Sequence, residues 1–275
     1  MNNAPMDLRT TLEHGAVDRR TICVVGTYAS LSLLSRRSAQ AAQWPREWQA
    51  DQVIFHADFI PENHQSVTVE TANLCRSLPS ELGLRISDDP IYIYWFQTRG
   101  MFEQYVKHYF PMAPMRRALF IKQRGPGMVF AYDSKDIAVD LRHETTHAVL
   151  HTMLPMVPLW LDEGIAEYFE VPETERIRQH PHLKRVRRQV RWRRVPSLSK
   201  LESIGRLANM GNEEYEQAWS WVHFMLHGPT EARRELSDFL RQIQANSPPE
   251  PLSRRLPRVI PNVDREFRHH FRNLA

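Results

Sequence analysis

Residues 143 to 147 read His-Glu-Thr-Thr-His, and a second apolar segment, Trp160-Leu161-Asp162-Glu163-Gly164-Ile165-Ala166-Glu167-Tyr168, brings Glu163 sixteen positions after His147. On an α-helix, side chains four apart lie one above the other, so His143 and His147 can turn both rings to one point while Glu144 flanks it. A fold that uses this pattern lays the second helix against the first, with Glu163 facing the two rings. The predicted result is a centre of two imidazoles and one carboxylate.

Catalytic zinc takes three protein ligands of these types and keeps a further position for water. Glu144, next to one ligand and three before the other, is then the candidate general base and not itself a ligand. Glu167, one turn beyond Glu163, can accept the second ring N–H of a ligating histidine or stand solvated at the surface. Asp162 sits a helical step away from Glu163 and is expected to cap or to face solvent. His151 falls about 12 Å along the axis from His143, too far to share an ion, and is expected to be a hydrogen-bonded histidine at the helix end.

The chain has 275 residues, 42% hydrophobic and 25% charged, which suits one sizeable globular core. The first 41 residues differ from the rest: Arg19-Arg20 precede a mildly apolar run from Ile22 to Leu34 and an Ala39-Gln40-Ala41 cleavage pattern. This predicts an export signal, with the paired arginines favouring the twin-arginine route, and hence a periplasmic, envelope-associated or secreted protein. No stretch reaches the roughly eighteen apolar residues of a spanning helix. Without the first 41 residues, which hold five Lys/Arg and three Asp/Glu, 31 basic and 29 acidic side chains remain, so net charge says little about partners. Cys23 lies in the signal and Cys75 is left alone, so no internal disulfide can form, and Cys75 is expected to be a buried small apolar residue.

Periodicity places strands at 52–59, 91–96, 118–122 and 128–132, and helices at 66–82, closed by Gly83, and over Phe102 to Phe110. The helix carrying His143 is expected to start at an Asp133 or Ser134 cap and to run to Met153. Pro158 opens the next helix and Pro172 closes it, and further helices are predicted at 182–194, 213–227, 230–245 and 262–273. Residues 247–261, with five prolines, are expected to be extended. The fold class is α+β, with a mixed sheet in a lobe at about 42–155 and a mainly helical lobe at about 156–275.

His143-Glu144-Thr145-Thr146-His147 followed by Trp160-Leu161-Asp162-Glu163-Gly164-Ile165-Ala166-Glu167 resembles the gluzincin metallopeptidases, most closely the peptidase-MA-like bacterial proteins with the pattern W-L-x-E-G-x-A-E. The likeness extends from Ile91 to about His227. It implies a zincin-like fold, Zn2+ on His143, His147 and Glu163, and hydrolysis of a polypeptide substrate with Glu144 as base. It favours Glu167 as support for a ligand histidine. It also implies an oxyanion donor after the metal ligands, for which Tyr215 and His223 are the candidates, and makes Met128, Val129 and Phe130 the edge strand that pairs with extended substrate. Fifteen residues separate His147 from Glu163, somewhat fewer than in the thermolysin-like and aminopeptidase groups, and no aminopeptidase motif is present.

Residues 176–194 hold nine Lys/Arg and no acid, with Leu183, Val186 and Val190 at helical spacing. Either this is a solvated face packed on the catalytic lobe, or Arg185, Arg188 and Arg191 meet an anionic surface. Nucleic acid is not the expected partner. The rival to a metallohydrolase is a zinc-containing envelope binding protein that uses this helix and catalyses nothing.

Overall fold

Two short strands joined by Asp51 and Gln52 begin the fold, in the computed structural model that describes residues 44–62, 64–123 and 125–274. The expected export signal lies outside the described residues. β1 (Arg46–Ala50) pairs antiparallel with β2 (Val53–Ala57), and Asp51 takes a positive φ of 51° in the turn, a conformation that Asp tolerates better than most residues. β3 (Ile91–Phe96), β4 (Ala118–Ile121) and β5 (Gly127–Tyr132) complete a five-stranded mixed sheet in the order β1-β2-β3-β5-β4. β2, β3 and β5 are parallel, while β1 and β4 run antiparallel to their neighbours at the two edges.

This order corrects one expectation. Met128, Val129 and Phe130 belong to β5, which is paired on both sides, by β3 and by β4. The outer position on this side of the sheet belongs to β4, whose four residues are all buried. Chain order misled here because β5 enters between β3 and β4, so the last strand in sequence is not the last in the sheet.

Period-two alternation divides the side chains between two faces of the sheet. Phe55, Ile93, Trp95, Phe120 and Val129 face one large core. Tyr94, Phe96, Leu119, Ile121 and Phe130 face the other side, where Phe102, Tyr105 and Val106 of α2 (Arg99–Tyr109) cover them. α1 (His64–Leu82) and α3 (Ile137–Met153) lie on the first face. Gly83, at a φ of 70°, closes α1: its N–H reaches Ser80 O at 3.2 Å, and that of Leu84 reaches Pro79 O at 2.9 Å. α3 begins later than its expected caps, since Asp136 precedes its first turn and Ser134 instead holds the entering loop through the Ile137 N–H.

The rest is helical: α4 (Leu159–Phe169), α5 (Leu183–Arg191), α6 (Leu198–Glu202), a 3-10 turn at Leu207–Asn209, α7 (Asn212–His227), α8 (Thr230–Gln244), α9 (Leu252–Val259) and α10 (Val263–Asn273). One continuous apolar core runs from Val53 on the sheet to Phe271 on α10. Residues 247–261 are not wholly extended, because Leu252 and Leu256, four apart, are buried in this core and wind α9 despite Pro257. Cys75 is buried, as expected. Among the described residues, no helix is long and apolar enough to cross a membrane.

Candidate metal centre

α4 is buried on every side: Trp160 through Phe169 are all inaccessible. A helix of that kind can carry carboxylates only where each has a partner, because an unpaired buried charge is costly. Gly164 sets its depth. A Cβ there would sit 2.8 Å from the backbone carbonyl of Ala218 on α7, so the absence of a side chain lets α4 and α7 touch. The same packing turns Glu163 toward α3.

His143, His147 and Glu163 bring three buried ligand atoms together. Glu163 Oε2 stands 3.6 Å from His143 Nε2 and 3.8 Å from His147 Nε2, too far for hydrogen bonds. None of these three atoms has a hydrogen-bond partner. Two ligands of a tetrahedral zinc ion, each about 2.0–2.1 Å from the metal, stand about 3.3–3.4 Å apart, close to the spacing found. Three orphaned, inward-facing polar atoms of mixed N and O type therefore fit a metal ion and are otherwise a substantial unmet cost.

The opposite nitrogen of each ring is held by a separate carboxylate. His147 Nδ1 donates to Asp162 Oδ1 at 2.8 Å, and His143 Nδ1 donates to Glu170 Oε2 at 3.1 Å. Such partners fix the tautomer that leaves Nε2 free to ligate. Asp162 is thus neither a cap nor solvated: it is buried, and its second oxygen accepts from His151 Nε2 at 3.1 Å. His151 is a hydrogen-bonded histidine near the end of α3, as expected. Glu167 is also buried, but its Oε2 accepts from His182 Nε2 at 2.7 Å, so the carboxylate that supports His143 is Glu170, two turns beyond Glu163. His143, Glu167 and Glu170 also cluster, yet His143 and Glu170 are already hydrogen-bonded to each other and Glu167 is bonded to His182.

Electrostatics favours a cation at this point. Burial alone would lower the basicity of His143, but the Glu163 and Glu170 carboxylates, with Glu144 nearby, outweigh it and hold the ring well above its usual pKa. His147 is raised in the same way, burial being overcome by Asp162 and Glu163. Asp162 is driven below the usual carboxylate range: burial opposes its ionisation, and the two histidines it holds outweigh burial.

Glu144 is buried beside His143, and both line a cavity of about 30 Å³ with Arg117, Ala118, Val139, Asp140 and Glu170. That is room for a water or two. Ala118 opens the edge strand β4, which is strapped to α3 at both ends. Arg117 pairs with Asp136 and, at 2.5 Å, with Asp140, and Lys122 donates to the carbonyl of His151.

Of the two expected oxyanion donors, His223 is excluded by its hydrogen bonds. Its Nε2 lies 2.9 Å from Ile177 O, and a carbonyl only accepts, so that nitrogen carries the ring's proton. Nδ1 then accepts from His270 Nε2 at 2.9 Å. With its N–H spent and its pKa well below the usual value through burial and the neighbouring His270 and His227, His223 has nothing to donate. Tyr215 is fully buried on α7, three residues before Ala218 at the contact with α4.

Residues 137–250 match the family described as "Protein of unknown function (DUF1570)". The match contains His143, Glu144, His147, Asp162, Glu163, Glu167 and Glu170. Among curated proteins, none matches the chain.

Proposed function

We propose that the protein is a zinc-dependent metallohydrolase of zincin-like, gluzincin type, acting on a polypeptide as an endopeptidase. The observation that carries this reading is the convergence of His143 Nε2, His147 Nε2 and Glu163 Oε2, all buried and all without hydrogen bonds, with the far side of each ring anchored. Those three atoms would hold the ion. Bound there, zinc would supply a Lewis acid that makes water acidic near neutral pH. Glu144, buried beside His143 at a water-sized cavity, would take the water's proton and return it to the leaving amine. Asp162 and Glu170 keep the rings oriented through the cycle.

The test is a metal assay combined with cleavage of a peptide library. The wild-type chain should bind about one zinc per chain and cleave peptides, with activity lost to chelator. Glu144→Gln should keep the zinc and lose cleavage by several orders of magnitude. Stoichiometric zinc with no cleavage by the wild type would instead support a binding protein.

A further inference from the structure

α5 and its flanks carry a charge excess that the fold does not use. Of the nine Lys/Arg in 176–194, three have protein partners: Arg176 pairs with Glu81 at 3.1 Å, Arg185 with Glu216 at 3.1 Å, and Arg187 donates to Phe271 O at 3.3 Å. The other six, Arg178, Lys184, Arg188, Arg191, Arg193 and Arg194, are exposed, and their side chains make no hydrogen bond or ion pair among the described residues. Leu183, Val186 and Val190 are buried in the core, so the helix is anchored by its apolar face and presents cations outward.

The cations line two adjoining hollows. One, of about 770 Å³, includes Arg178, Lys184, Arg187, Arg188 and Arg191; the other, of about 480 Å³, includes Arg188, Trp192, Arg194 and one acid, Glu213. Arg185 and Arg188 belong to both, which makes the strip continuous. At its end Trp192 is 74% exposed, and Ile177 at the other flank is 39% exposed. A large aromatic left in water among arginines loses apolar burial and gains nothing from the protein itself.

We infer that this strip docks the protein on an anionic phospholipid surface. The chemistry matches in three respects. Unpaired arginines and lysines are attracted to headgroup phosphates, and each contributes about a fivefold gain in partitioning to an anionic membrane. Tryptophan beside such cations favours the headgroup level, where its ring is half in water and half in lipid. Single-stranded nucleic acid, the other common polyanion, is usually held by several aromatic platforms interleaved with the cations, and the strip presents Trp192 alone. The inference is independent of the hydrolytic reading, since no member of the metal cluster lies in the strip.

The test is co-sedimentation of the full chain with vesicles. Vesicles of equal phosphatidylglycerol and phosphatidylcholine should bind the wild type at low salt, release it at about 0.5 M salt, and exceed phosphatidylcholine vesicles by at least tenfold. The triple variant Arg188→Gln/Arg191→Gln/Arg194→Gln, at exposed positions without protein partners, should stay folded by circular dichroism and lose about a hundredfold in binding. Residues 1–41 are common to both proteins, so the difference reports the strip. Equal binding to both vesicle types, or an unchanged triple variant, overturns the proposal. So does displacement from anionic vesicles by a short DNA at matched phosphate concentration, which reassigns the strip to nucleic acid.

Discussion

His147 Nδ1 donates to Asp162 Oδ1 at 2.8 Å, and Asp162 is the residue just before Glu163. One turn of α4 thus delivers the candidate third ligand and the anchor of the second histidine together. Asp162→Asn keeps the shape but leaves the tautomer of His147 unspecified, so zinc affinity is expected to fall about 10- to 100-fold. Competition with a chromophoric chelator measures it. His151→Asn, which touches the same carboxylate through its other oxygen, should change affinity little; an equal loss in both variants would mean that Asp162 acts only as packing.

The resemblance favours Glu167 as the support of a ligand histidine, but the structure gives that bond to Glu170. Glu170 holds His143, whereas Glu167 holds His182, the residue before α5. Glu170→Gln should therefore weaken zinc binding about 10- to 100-fold, while Glu167→Gln should mainly lower the unfolding temperature. The pair of measurements, chelator competition and thermal unfolding, separates the roles. A larger zinc defect in Glu167→Gln would reverse them.

Much of this arrangement was legible in the chain. Two histidines four apart and a carboxylate on a second apolar helix specified the cluster, and the strand and helix periods specified an α+β fold with most of its elements. What failed was the inference of facing. Asp162 reads as outward only if α4 has an outside, and it has none, because Trp160 to Phe169 are all buried. The apolar composition of that segment was the available clue: three carboxylates in an otherwise apolar helix must all be partnered. Glu170 was readable as the next member of the stripe Glu163, Glu167, Glu170. By contrast, nothing local marks β5 as an interior strand, or His223 as spent on Ile177 and His270, since both follow from contacts between distant segments. β1 escaped because its pattern is mostly polar and exposed.

Gly164 is the point where side-chain volume is forbidden. A Cβ would lie 2.8 Å from Ala218 C and O and 3.0 Å from Val222 Cγ2, and backbone at that distance cannot step aside. Gly164→Ala gains helix propensity but forces α4 off α7, at a net cost of about 1–3 kcal/mol. Because Glu163 is the adjacent residue, zinc affinity should fall along with the unfolding temperature. Gly205→Ala, where an added Cβ meets nothing within 4 Å, is the control and should be close to neutral. Comparable effects of the two substitutions in thermal unfolding would refute the close contact.

The histidines behind α4 set an acid limit on stability. His223, His227 and His270 are packed together with Tyr168, whose hydroxyl bonds His227 Nε2 at 2.7 Å. Burial, reinforced by Arg233, pushes His227 down to about 4, and burial with neighbouring His227 and His269 pushes His270 down to about 4. In the unfolded chain these rings take protons near pH 6.5, so below that value the unfolded state binds more protons than the folded one. The stability they contribute is complete above about pH 6.5 and is lost as the pH falls toward 4. Thermal unfolding between pH 7.5 and 5 should show this loss. His270→Gln keeps an N–H for His223 Nδ1 and removes one titrating ring, so its unfolding temperature should fall less steeply over the same interval. Parallel slopes for the two proteins would show that His270 does not resist protonation in the folded state.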